Sequence, residues 1–130
     1  MSIPVELPDL AATLARYRYA YLMTTSDAGA PHAVAVNAVL QDGELVAEPV
    51  GNRTRQNAVA RPAVGLVWPP LAEGEYSLIV DGHAAVTGAG LRIKPTRAVL
   101  HRPAPSPASV QTAAGESACG SDCVPLRIDG

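Results

Sequence analysis

The 130-residue chain has no phenylalanine, one tryptophan and four tyrosines, so its core has to be packed from aliphatic side chains. Charge is equally scarce. Asp, Glu, Lys and Arg make up 17% of the residues and the formal net charge is −2, which argues against nucleic acid as the main partner because phosphate neutralisation needs a basic face. No apolar run reaches the ~18 residues of a membrane span. The opening MSIPVELPDL has neither the basic stretch nor the long apolar core of a secretory signal, and a cytoplasmic chain off the membrane is expected. The two cysteines, Cys119 and Cys123, form a lone C-x3-C pair. Such a pair can bind metal, cycle as a dithiol or only pack; zinc needs two further ligands and no nearby histidine has the spacing to supply them, so packing is the expectation and no metal site is expected. There is also no G-x-S-x-G elbow and no informatively spaced carboxylate pair, so no catalytic residue can be assigned from sequence.

One further absence is local. Between Pro49 and Ala72 there is no Asp or Glu, and this stretch holds Arg53, Arg55 and Arg61. The segment NRTRQNAVA reads as a short helix opening at Asn52. A helix N-terminus carries free amide hydrogens and a partial positive charge, which suits an anion. Arg53 can donate two parallel hydrogen bonds to a phosphate and Thr54 one more. On that helix Arg53, Asn57 and Arg61 share a stripe by the i, i+4 rule. The alternative is that Asn52 only caps the helix while Arg55 and Arg61 coat its solvated side.

The rest of the chain reads as strands. Leu7, Leu10, Leu14 and Tyr17 have amphipathic helical spacing, with Pro8 and Asp9 as N-terminal signals. YAYLMTT, HAVAVNAVL and ELVAE follow as strands, the second pair joined by Asp42-Gly43, a hairpin signal. After the arginine helix come AVGLVW, then YSLIVDGHAAV with Gly82 marking a bulge or close approach, then a last strand interrupted by Pro95. Six strands with short connections and two helices predict a mainly β fold, an antiparallel barrel with helical additions. Residues 102–130, rich in Pro, Ala and Ser, read as a tail.

The order of a helix, DAGAPHAVAV, DGELVAE, NRTRQNAVARPAVGLVW and VDGHAAVTG resembles the pyridoxamine 5′-phosphate oxidase-like split β-barrel family over roughly residues 7 to 101. Asp27, Gly29 and Pro31 approximate the family's turn. Asn52, Arg53 and Thr54 stand for its serine-arginine-lysine cluster, with Thr54 in place of the lysine, and Arg61-Pro62 and Gly82-His83 match later pairs.

The resemblance implies a six-stranded split barrel over 1–101, assembled as a homodimer with the cofactor at the subunit interface. It implies FMN, or alternatively coenzyme F420, and hydride transfer to or from a small organic substrate. A non-catalytic module holding flavin, haem or a tetrapyrrole is the alternative. Cofactor contacts are expected from Asn52, Arg53, Thr54 and Asn57, and from Val34, Val36 and Asn37 on a strand of small side chains. Trp68 is expected either to border the pocket or interface, or to sit in the core. His32 and His83 are the available proton donors, and no partner is identified for His101. Residues 119–126 are expected to dock beside the cofactor groove.

Overall fold

The computed structural model describes residues 1–104, so the expected docking of 119–126 and the two cysteines lie outside the described residues. Eight strands and two helices make up the described part. They are β1 (Ser2–Val5), α1 (Leu10–Leu14), β2 (Ala20–Thr25), β3 (Pro31–Val36), β4 (Ala38–Gln41), β5 (Glu44–Ala47), α2 (Asn52–Ala60), β6 (Ala63–Trp68), β7 (Ser77–Thr87) and β8 (Gly90–His101).

All strand pairs are antiparallel, in the order β3-β2-β6-β7-β8-β5-β4, with β1 added to the C-terminal half of β8. The two ends of that path, β3 and β4, are consecutive in the chain and separated only by Asn37. Consecutive Cα atoms lie 3.8 Å apart, so one residue can join the two edges only if the sheet curls until they meet. The curl makes the antiparallel half-barrel.

The strand count exceeds the expected six for two reasons. SIPV, short and carrying Pro4, has no strand signature of its own and pairs only at an edge, where proline is tolerated. HAVAVNAVL is two strands on opposite edges, broken at Asn37. The first helix is also shorter than its periodicity suggests. A single 3₁₀ turn over Leu7–Asp9 precedes the five residues of α1, and Asp9 makes no side-chain cap bond. Leu10 is buried, Leu14 and Tyr17 pack on the core from its margin, and Leu7 is exposed.

The turn and bulge signals are met. Asp42 and Gly43 have φ of 53° and 80°, the paired positive values a tight two-residue hairpin needs. The register between β7 and β8 shifts between Asp81 and Gly82, where Gly82 faces Pro95. A Cβ on Gly82 would lie 2.6 Å from the Lys94 carbonyl oxygen, so the close approach requires glycine. The shift also lets Pro95 sit inside a long strand. The core is aliphatic as composition requires, built on Leu10, Leu22, Leu45, Leu66, Leu78, Val80, Leu91 and Ile93 with Trp68.

Candidate functional site

The chain leaves β5 through Glu48–Gly51 and enters α2 with Gly51 as N-cap, an extended residue with no side chain to offer. Asn52 is therefore the first helical residue and not the cap. The first helical hydrogen bond runs from Arg55 N to Gly51 O at 3.1 Å, and among the described residues no side chain caps the turn. The amides of Asn52, Arg53 and Thr54 thus precede the ladder, and no acidic residue stands in the first turn to neutralise the positive end of the helix.

This turn forms one wall of a groove of about 400 Å3, with Pro49 and Val50 beside it and β3 opposite. His32, Val34 and Val36 alternate along β3 and line the groove from one face of the strand. Among the described residues Arg53, exposed along the groove, has no ion pair, while Thr54 lines it at 2% exposure. The volume falls in the range of small-molecule sites, roughly 300–1,000 Å3.

Five of the eight expected contacts therefore converge: Val34, Val36, Asn52, Arg53 and Thr54. The other three lie elsewhere. Asn57 is buried and its Nδ2 donates to Thr24 Oγ1 at 3.0 Å, in the seam between α2 and β2. Asn37 is exposed at the crossing between the sheet edges and does not line the groove. Trp68 is 1% exposed in the core, which is one of the two places expected for it.

The Arg53–Asn57–Arg61 stripe likewise divides into three roles. Arg61 donates from Nε to Thr25 O at 2.7 Å and from Nη2 to Asp27 Oδ1 at 2.7 Å, so it ties the end of α2 to the β2–β3 turn. Of the histidines, His32 lines the groove, His83 is exposed on β7, and His101 Nδ1 lies 3.1 Å from Ser2 Oγ. Pro49, Val50 and Gly51 are groove residues that sequence reasoning missed. The acid-free stretch begins at Pro49 and was the signal available. Among the described residues no cluster of three or more His, Cys, Asp or Glu could hold a metal ion, and no helix is long and apolar enough to cross a membrane.

No family model matches the chain. Two mycobacterial proteins do, the uncharacterized proteins Mb0449c of Mycobacterium bovis and MT0457 of Mycobacterium tuberculosis. Each is 43% identical over 140 aligned positions, covering 95% of this chain and 96% of the relative. The chain belongs to one family with them. Among solved structures, a FAD-binding protein from Mesorhizobium loti superposes with a TM-score of 0.63 at 15% identity, covering 77% of this chain and 96% of the other. An F420 reductase gives 0.56 at 17% identity, covering 67% and 93%. A Listeria innocua protein provisionally assigned as a pyridoxamine 5′-phosphate oxidase gives 0.57 at 13%, covering 70% and 92%. The fold is the pyridoxamine 5′-phosphate oxidase-like split barrel. In this split barrel the groove lies where the uncapped start of α2 faces β3.

Proposed function

We propose that the chain is a small oxidoreductase that binds a phosphate-bearing flavin or deazaflavin in the groove between β3 and the first turn of α2. The reading is carried by one convergence: helix-start amides without a side-chain cap and an arginine without an ion pair, both among the described residues, meet a threonine in a groove whose opposite wall is built of His32, Val34, Ala35 and Val36. It is further supported by the likeness of the fold to a FAD-binding protein and an F420 reductase.

In this reading the amides of Arg53 and Thr54, the Arg53 guanidinium and the Thr54 hydroxyl hold the phosphate. Val34 and Val36 offer an apolar wall for the ring, and the His32 imidazole lies beside them. When bound, the cofactor supplies two-electron hydride chemistry with an organic substrate, and the protein positions and shields it. Threonine in place of a lysine leaves Arg53 as the one cationic side chain lining the groove, and FMN and F420 both remain within the reading.

The groove is open on a single chain, and we place it at the interface of a homodimer. Tyr19 and Tyr21, whose rings stand edge to face at 5.5 Å, are exposed on β2 and just before it, as is Val39 on β4. Tyrosine is enriched at interfaces, and Val39 adds exposed apolar surface.

Titration with FMN and with F420, followed by Arg53→Ala, tests the site. The substitution should weaken binding by roughly ten- to a hundred-fold, the loss of one charge-assisted contact, with unfolding unchanged. Equal affinity in the folded variant would remove Arg53 from the site. Turnover with reduced cofactor then separates an enzyme from a binding module.

A further inference from the structure

A second cavity lies on another flank of α2. Asn52, Arg55, Gln56 and Val59 are spaced i, i+3, i+4 and i+7, so they form one face of the helix, and Val86 of β7 completes the cavity. Its volume is about 390 Å3, nearly that of the groove beside β3 at about 400 Å3. Asn52, the first residue of α2, lines both. The two cavities therefore adjoin at the start of the helix.

Their walls differ in chemistry. The second cavity sets Val59, 70% exposed, and Val86 as apolar surface beside the amide side chains of Asn52 and Gln56 and the half-buried Arg55. Arg53 and Arg55 stand two residues apart, about 200° around the helix. Arg53 lines the groove and Arg55 the second cavity, so each flank of the first turn has one cation. The stretch from Pro49 to Ala72 has no Asp or Glu.

We propose that this cavity is a nucleoside subsite, and that the cofactor filling both cavities is a dinucleotide whose diphosphate spans the start of α2. The inference rests on the cofactor reading of the groove. A phosphate monoester ends at the helix start and leaves the second cavity without a part. A diphosphate continues past Asn52, with its negative charges at the positive end of the helix and between the two arginine-bearing flanks. A nucleobase is a flat ring with apolar faces and a hydrogen-bonding edge. Val59 and Val86 offer apolar surface to the faces, and the Gln56 amide, a donor and an acceptor side by side, suits an adenine edge.

Calorimetric titration of the full chain with FMN, FAD and adenosine tests this. FAD should bind roughly ten-fold or more tightly than FMN, because its adenosine half buries further apolar surface. Adenosine should compete with FAD and not with FMN. Val59→Glu, an exchange at an exposed helix position, should bring FAD down to the affinity of FMN and leave FMN binding unchanged. Val59→Ala should keep part of the advantage. Equal affinities for FMN and FAD in the parent chain would overturn the nucleoside subsite and leave the groove reading standing. If neither flavin binds, the subsite falls, and titration with F420 decides the groove reading separately. A dimer lost from sedimentation of Val59→Glu, with FAD affinity unchanged, would assign the cavity to a second copy of the chain and overturn the proposal as well.

Discussion

Asn57 on α2 donates its Nδ2 hydrogen to Thr24 Oγ1 on β2 across 3.0 Å, with both residues buried. This is a side chain–side chain bond where the arginine-rich helix meets the sheet. It fixes the rotation of α2, and so decides which flank of the helix presents Arg53 to the groove beside β3.

Asn57→Ala should cost about 1–3 kcal/mol of stability, since it strands the Thr24 hydroxyl in the interior. Thr24→Val strands the Asn57 amide and should cost a similar amount. The two together should cost clearly less than their sum, because they share one bond. Denaturant unfolding of the three variants measures the coupling, and strict additivity would mean that the bond contributes nothing.

Arg61 ends the same helix with two contacts of unequal worth. Its partner Asp27 is 93% exposed, so that ion pair is screened by water and contributes little. Asp27→Ala should change stability by less than ~0.5 kcal/mol. Arg61→Ala also removes the bond from Nε to Thr25 O and should cost about 1 kcal/mol more. Equal effects of the two substitutions would contradict this ranking.

Gly90 opens β8 where a Cβ would collide with the Ala47 carbonyl oxygen and the Glu48 Cβ, both parts of the segment leading to the groove. Gly90→Ala should therefore destabilise by about 1–3 kcal/mol through overpacking. Gly88→Ala, where nothing lies within 4 Å of an added Cβ, meets only the strain of its φ of 49°. Thermal unfolding of the two should show the larger loss at position 90.

Tyr17 supplies an alkaline pH dependence. Its hydroxyl donates to Tyr76 O at 2.8 Å, and its pKa is raised above 10.0, chiefly by burial, with Glu75 adding to the rise and Arg16 opposing it. The folded state therefore holds this proton more tightly than the unfolded state does. The resulting stability is complete below pH 10 and is lost as pH rises through the folded pKa. Tyr17→Phe should be less stable than the parent at pH 8, and the gap should narrow by pH 11. A constant gap in urea midpoints would place the titration elsewhere.

Local chemistry was legible wherever it depended on backbone geometry. Asp42-Gly43 specified its turn, Gly82 its bulge, and the acid-free run after Pro49 the electropositive turn of α2. What sequence could not supply was orientation. Asn57 and Arg61 lie on the Arg53 stripe by helical spacing, yet tertiary contacts with Thr24, Thr25 and Asp27 claim both side chains. Asn37 reads as the middle of one strand because its neighbours alternate correctly, and nothing local records that they belong to opposite edges.

That crossing at Asn37 bears on how the chain acquires its fold. The hairpins β2–β3 and β4–β5 are both local and are separated by a single residue, yet they cannot pair with each other. The strands that belong between them, β6, β7 and β8, all come later in the sequence. On a ribosome the first sixty residues therefore emerge as two hairpins without neighbours, and the sheet can close only when the stretch up to His101 has followed. We expect a fragment ending at Ala60 to show no cooperative unfolding. We expect the whole chain to refold in milliseconds to seconds, the range of folds dominated by distant strand pairs, and not in microseconds.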